Sequence, residues 1–340
     1  MSISDVEPKE AAFWEREDGA VRCLLCPHSC LVREGQKGIC RVRGNIGGTL
    51  RALSYGKVSS VHLDPMEKKP LFHFHPGEPV LSFGGVGCNL RCLHCQNYPI
   101  AQVGLGDLEL MEVPPDEVPG MCVRSGSNGV AWTYNEPTIW YEYMMDASRA
   151  CKAEGLFTVS VTNGYIQEAP MRALKGVIDA VNIDVKGFTE EFYRQVCKGS
   201  LAPVLRTCEV AKEVGMHVEL TYLVIPGRND RQEEIASFCQ WVRDRMGVGT
   251  PVHFSRFHPD YRMTDVPPTP RSVMDMAYKE GVAHGLEYVY VGNMATERGE
   301  STYCPRCGAL LVRRYGFSAE PVGVTDRRCA KCGRETDIIW

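Results

Sequence analysis

Seven short apolar runs, rich in β-branched residues, recur through the middle of this 340-residue chain and alternate with amphipathic stretches. They are VLSFGG (80–85), GVAWT (129–133), FTVSVT (157–162), AVNIDV (180–185), HVELTYLVI (217–225), VHFSRF (252–257) and EYVYVG (287–292). Apolar runs of this length, separated by helical patterns such as 138–155 and 231–246, are the mark of βα units with a parallel sheet. Six or seven such units predict an α/β barrel or an open partial barrel. In that architecture reactive groups sit just past the C-terminal ends of the strands. The polar segments GCNLRCLHCQN, YNEPT, TNGY, DVKG, IPGRND and HPDY fall there. A doubly wound sheet is the alternative, but GGVGCNLRC is a poor match to the glycine-rich loop it would need.

Cysteine usage is the second constraint. Of 16 cysteines, 11 fall into three clusters, and only Cys122, Cys151, Cys197, Cys208 and Cys239 stand alone, in or beside apolar helical patterns where buried, inert thiols are expected. The N-terminus is acidic and lacks the apolar core of a secretory signal, so a disulfide framework is not expected and the clusters point to metal. No apolar stretch approaches the roughly 18 to 20 residues of a membrane span. A cytoplasmic protein is expected. The formal net charge of -4 gives no basic footprint for nucleic acid.

The central cluster, Cys88, Cys92 and Cys95, follows the first strand with C-x3-C-x2-C spacing and no fourth cysteine close in sequence. A structural tetrahedral site takes four ligands, so three thiolates leave a position open. On a [4Fe–4S] cube, which usually takes four thiolates, the open iron is free to chelate an amine and a carboxylate of one molecule. The bland alternative is a zinc site completed by His94 or His75.

This stretch resembles the radical S-adenosylmethionine signature. The strings CPHSC, DPMEKKPLFHFHPG, GCNLRCLHCQNYPIAQ, YNEPTI and TNGY are similar to those of the glycyl-radical-enzyme activases and their homologues of the pyruvate formate-lyase activating kind, and most of all to the AmmeMemoRadiSam subgroup. The resemblance is strongest from residue 23 to about residue 165 and continues more weakly to about residue 293. It implies a partial (β/α)6-type barrel, a [4Fe–4S] cluster on Cys88, Cys92 and Cys95, and S-adenosylmethionine as cofactor. The cluster would cleave that cofactor to methionine and a 5'-deoxyadenosyl radical, which abstracts hydrogen from a small molecule or peptide. By position, His94 is expected near adenine, and Tyr134, Asn135 and Glu136 stand where the family has Gly-Gly-Glu around the methionine ammonium. Asp184 and Lys186 match a segment contacting the methionine carboxylate and ribose, and His258 a residue meeting adenosine. Asn163 belongs to the Val161-Thr162-Asn163-Gly164 run, where the activases carry an acidic residue that helps hold a monovalent cation.

Two further groups flank the barrel. Cys23, Cys26, Cys30 and Cys40 predict a second metal, zinc or an iron–sulfur cluster, within a lobe spanning 1–75 that has few regular elements. His28 within that loop is expected to support rather than ligate. Cys304, Cys307, Cys329 and Cys332 form two C-x2-C knuckles 21 residues apart, a zinc-ribbon or rubredoxin-like module over 299–340, with the barrel at 76–298. Arg306, Arg313, Arg314, Arg327 and Arg328 around the knuckles read as a solvated or protein-docking face, and the alternating charges of DPMEKKP as an exposed turn or, by likeness to the subgroup's similar strings, a functional segment. Nothing resembles a flavin or nicotinamide site, so an external one-electron donor, a flavodoxin or ferredoxin, is expected. The resemblance adds Memo-type and AMMECR-type proteins or a glycyl-radical enzyme as partners. The rival reading of another class is a non-catalytic zinc scaffold or nucleic-acid-binding protein.

Overall fold

The computed structural model describes residues 8–296 and 298–340, so the start of the acidic N-terminal stretch, residues 1–7, lies outside the described residues. All seven expected strands form: β1 Pro79–Gly84, β2 Gly129–Trp132, β3 Phe157–Thr162, β4 Ala180–Asp184, β5 His217–Val224, β6 Val252–Arg256 and β7 Val289–Gly292. Each pairs in parallel with the next in sequence. Most residues of β1 to β4 are buried, as expected of parallel strands covered on both faces. The covering helices include α1 Tyr141–Ala153, α2 Leu201–Glu213, α3 Gln232–Trp241 and α4 Arg271–Ala283. An eighth strand, Ser60–Pro65, runs antiparallel to β1 and forms one edge, with β7 the other. The sheet is an open partial barrel.

The N-terminal lobe is more regular than its sequence implies. Trp14–Glu17, Ala20–Cys23 and Leu31–Arg33 form one antiparallel sheet, and Lys9–Glu10, Arg43–Ile46 and Thr49–Ala52 another. Strands of two to four residues are too short to show an alternating pattern. The lobe is clamped to α1 by a buried ion pair. Arg43 Nη1 donates to both carboxylate oxygens of Glu142, at 2.9 and 2.8 Å, and Nη2 to the Ala12 carbonyl at 2.8 Å. The Ala12 amide donates back to Glu142 at 2.7 Å.

DPMEKKP is not an exposed turn, because Asp64, Glu67 and Lys69 are all buried. Asp64 accepts from Lys68 and Lys69 at 2.8 and 2.6 Å. Glu67 accepts from Arg314 Nε at 3.2 Å, and Arg314 also donates to Thr302 and to the Phe72 carbonyl, each at 2.6 Å. Arg314 therefore leaves the solvated basic face its neighbours form and pins the C-terminal module to the barrel. The penultimate residue completes this attachment: Ile339 pairs with Phe74, and its amide donates to the His73 carbonyl at 2.8 Å. No described helix is long and apolar enough to cross a membrane.

Two outcomes follow from these buried groups. Glu142→Ala strands a buried guanidinium and costs about 3–5 kcal/mol in denaturant unfolding, while the pair Arg43→Met/Glu142→Leu recovers most of that loss. His73 is fully buried with Nδ1 unpartnered, and burial pushes its pKa down to about 3. The unfolded imidazole titrates near 6.5, so the unfolded state takes up the proton first and stability falls as pH drops from about 6.5 towards 3, by about 2 kcal/mol at pH 5. His73→Asn shows a smaller loss between pH 7 and pH 5 than wild type when unfolding midpoints are compared.

Candidate functional site

The cysteine loop leaves the C-terminal end of β1, and loops from β2, β3, β4 and β6 gather around it. Cys88 and Cys92 are buried and Cys95 is half-buried. The Cys88 sulfur accepts from the Leu90 amide at 3.3 Å and from Asn163 Nδ2 at 3.6 Å. Burial raises the Cys88 thiol well above its ordinary pKa, and a hydrogen bond with Cys197 together with burial does the same for Cys92. Thiols this costly to ionise become thiolates only against a cation, which a bound metal would supply.

The loop after β2 is fastened from several sides. Glu136, 1% exposed, accepts from the Thr138 amide at 2.9 Å, Thr162 Oγ1 at 2.7 Å and the Asn163 amide at 2.8 Å. Burial outweighs these donors and leaves its pKa raised. Asn135 accepts from the Gly85 amide at 2.9 Å and donates to the Gly87 carbonyl at 3.0 Å, so its side chain braces the cysteine loop. Tyr134 adopts φ +72°, the left-handed region that glycine occupies at no steric cost. Its hydroxyl donates to Asp64 and its ring lies 4.7 Å under Lys69 Nζ. Burial alone would raise Asp64, but bonds from Lys68, Lys69 and Tyr134 hold it well below the usual carboxylate range.

Beyond β3, Asn163 turns its amide to the Cys88 sulfur and, at 2.9 Å, to Asn89 Oδ1. At the end of β4, Lys186 Nζ meets Asp184 at 2.9 Å, and the Lys186 amide donates to the Tyr193 hydroxyl at 3.0 Å. His94 is buried, and burial together with the Lys186 charge lowers its pKa to about 3. Its Nδ1 has no partner. His258, after β6, is exposed and stands 3.0 Å from Gln96 beside the cysteine loop. All the expected residues thus come from the strand ends that face this loop. His75 does not: it stacks 4.4 Å from Phe157, the first residue of β3, at the opposite end of the sheet. It cannot complete a site at Cys88. The buried thiols, the orphaned His94 nitrogen and the one-sided arrangement of loops fit a cluster with an adenosyl ligand.

Sequence reasoning missed four supporting residues. Asn89 links Cys88 to Asn163 and donates to the Tyr165 carbonyl at 2.7 Å, and its place inside the cysteine loop was the available signal. Cys197 ends the wide helical turn Tyr193–Cys197 against Cys92, and its carbonyl accepts from the Arg91 amide at 2.9 Å. Nothing in its spacing marks that contact. Asp64 and Lys69 hold Tyr134 from far away in sequence.

The C-terminal cysteines meet as expected. Cys304 and Cys332 sulfurs stand 3.6 Å apart, and Cys307 and Cys329 3.7 Å. Gly308 and Gly333 close the two knuckles at φ +69° and +70°, where a side chain would be strained. Cys23, Cys26, Cys30 and Cys40 line a cavity beside Asn89. His28 Nε2 lies 2.7 Å from the Asn89 carbonyl and so braces the wall between the two groups. The lone cysteines Cys122, Cys151, Cys197, Cys208 and Cys239 are fully buried.

The family described as the Radical SAM superfamily matches residues 83–239. The chain is 47% identical over 334 residues to an uncharacterized protein of Methanocaldococcus jannaschii, covering 97% of this chain and 99% of that one. It is 24% identical over 204 residues to pyruvate formate-lyase 1-activating enzyme of Escherichia coli, covering 56% of this chain and 82% of that enzyme. Benzylsuccinate synthase activating enzyme of Thauera aromatica is 21% identical over 136 residues, 40% of this chain and 41% of that enzyme. Among solved structures, a radical SAM methyltransferase from Sphaerobacter thermophilus aligns with TM-score 0.49 at 14% identity, over 64% of this chain and 67% of that one. The family match begins at the end of β1 and contains the whole cysteine loop: this chain belongs to the radical SAM superfamily.

Proposed function

We propose that the chain binds a [4Fe–4S] cluster through Cys88, Cys92 and Cys95, cleaves S-adenosylmethionine reductively, and directs the resulting radical at a small molecule or peptide in the barrel mouth. The observation that carries this is the convergence of strand-end loops on a buried three-thiol loop. When bound, the cluster supplies one electron to the sulfonium, which splits a carbon–sulfur bond and releases methionine and a 5'-deoxyadenosyl radical. The protein's own share is placement. Asn163 donates to the Cys88 sulfur, and such bonds stabilise the more negative, reduced cluster. His94, neutral at any physiological pH, offers a flat ring and a free nitrogen to adenine. Backbone oxygens of the Tyr134–Glu136 loop are left for the methionine ammonium, because the side chains of Asn135 and Glu136 are already engaged. Asp184 and Lys186 would meet the methionine carboxylate and ribose, and His258 the adenosine.

The electron comes from an external donor such as reduced flavodoxin or ferredoxin. Sixteen cysteines without a disulfide suit a reducing compartment such as the cytoplasm. Memo-type and AMMECR-type proteins are the partners that the subgroup resemblance brings to this reading. The second reading is installation of a glycyl radical on a partner enzyme, favoured by likeness to the pyruvate formate-lyase and benzylsuccinate synthase activating enzymes. Val161, in place of the activases' acid, and the two extra metal modules favour the first.

Anaerobically reconstituted wild type with dithionite and S-adenosylmethionine is expected to form 5'-deoxyadenosine, and the Cys88→Ala/Cys92→Ala/Cys95→Ala variant none, by liquid chromatography. A wild type that carries iron at this site yet yields no product would return the chain to a scaffold role. Asn163→Ala is expected to keep the cluster but move its midpoint to more negative potential in a redox titration; an unchanged midpoint removes the tuning role.

A further inference from the structure

The three cysteine groups differ in how far apart they hold their sulfurs. Around one tetrahedral ion with metal–sulfur bonds of about 2.3 Å, thiolates stand about 3.8 Å apart. The C-terminal set has this spacing, with pairs at 3.6 and 3.7 Å. Among the described residues it alone brings three or more such ligand atoms within 4.8 Å of one another. Cys23, Cys26, Cys30 and Cys40 instead stand around a largely enclosed cavity that all four line, together with apolar Leu25 and Val32. A cube of four irons and four sulfides spreads its thiolates in this way and needs enclosed room; a single zinc needs neither. Cys88, Cys92 and Cys95 share the wider spacing.

The cavity has a further feature that suits a thiolate-bound metal centre. Arg43 lines it, is 2% exposed, and its Nε–H finds no acceptor in the protein. A buried cation with an unused donor suits a cluster whose sulfurs accept hydrogen bonds and whose net charge is negative.

Placement supplies the role. Cys23 and Cys40 are buried, whereas Cys26 and Cys30 are half-buried and the neighbouring Ile39 is 43% exposed. The inner side abuts the other thiol loop. The Cys40 carbonyl oxygen comes so close to Gly87, at φ +86°, that a Cβ there would lie 2.5 Å from it, and Cys88 is the next residue. Arg91 spans the same wall, donating to the Cys88 carbonyl at 3.1 Å and to the Ile39 carbonyl. His28 and Asn89 form a second bridge across it.

We infer that Cys23, Cys26, Cys30 and Cys40 hold a second [4Fe–4S] cluster, which passes electrons singly from a low-potential protein donor at the surface to the cluster on Cys88, Cys92 and Cys95. In each passage the donor is oxidised as the N-terminal cluster is reduced; that cluster is then reoxidised as the other gains the electron. No bond forms or breaks. Occupancy stands on the cavity alone, while the relay rests on the function proposed above.

The test uses the full chain, reconstituted anaerobically with iron and sulfide. The Cys88→Ala/Cys92→Ala/Cys95→Ala variant is expected to retain iron and labile sulfide for one cube. After dithionite reduction it gives a paramagnetic resonance signal that S-adenosylmethionine leaves unchanged. Zinc at both remaining cysteine sites and no iron in this variant would overturn the second cluster, whether or not wild type cleaves S-adenosylmethionine. For the relay, Cys26→Ser/Cys30→Ser is compared with wild type using reduced ferredoxin and then dithionite, its S-adenosylmethionine-sensitive signal reporting an intact barrel. The expected result is a several-fold slower 5'-deoxyadenosine formation with ferredoxin and little change with dithionite. Equal loss, or no loss, with both reductants overturns the relay.

Discussion

A single buried carboxylate fixes the geometry on which the thiol loop depends. Glu136 accepts from the Thr138 amide within its own loop and from Thr162 and Asn163 of the next. Burying a carboxylate is costly unless donors satisfy it, and these three make the conformation of both loops part of the same requirement. Asn163, held in this way, reaches the Cys88 sulfur, and Asn135 on the other flank grips Gly85 and Gly87. The ends of β1, β2 and β3 therefore behave as one rigid unit rather than as three independent loops. Preorganisation of this kind matters where a ligand must meet several groups at once.

How much of this was legible in the sequence depends on the range of the interactions involved. The seven parallel strands show as apolar runs because each is buried on both faces, a property of the strand's own residues. The cysteine groups are equally local, and the barrel rule carries the remaining site residues from strand ends to one mouth. Buried charge is different. Asp64, Glu67 and Lys69 look like surface residues because the groups that make their burial tolerable stand elsewhere, Tyr134 being 70 positions from Asp64 and Arg314 247 positions from Glu67. The same limit hid the contact of Cys197 with Cys92. Tyr134 adds a conformational case: its side chain gives no hint of a left-handed backbone, which costs on the order of 1–3 kcal/mol, and Asp64 and Lys69 hold it in place.

The cysteine groups also differ in where they meet the barrel. The C-terminal knuckles converge tightly, and their module is attached through Arg314 and Ile339 to the segment before β1. They lie outside the ring of loops around Cys88. The N-terminal group lies against that ring, with Cys40 pressed on Gly87. One module therefore packs on the barrel from outside, while the other shares a wall with the loop that carries Cys88.

The reach of Arg314 has a consequence for how the chain comes into being. Glu67 is enclosed with its carboxylate bonded to an arginine made nearly 250 residues later, and the backbone around His73 pairs with Ile339. On a ribosome, β1 to β7 emerge while Glu67 still lacks its counter-charge. The segment 64–74 can reach its final, dehydrated state only after Arg314 and Ile339 have emerged, so this part of the molecule closes after the strands of the sheet are already made. Contacts this distant in sequence also raise the contact order and slow the final folding step. Until then, the apolar residues that this segment covers, Val80, Ala131 and Phe157 among them, lack their full cover.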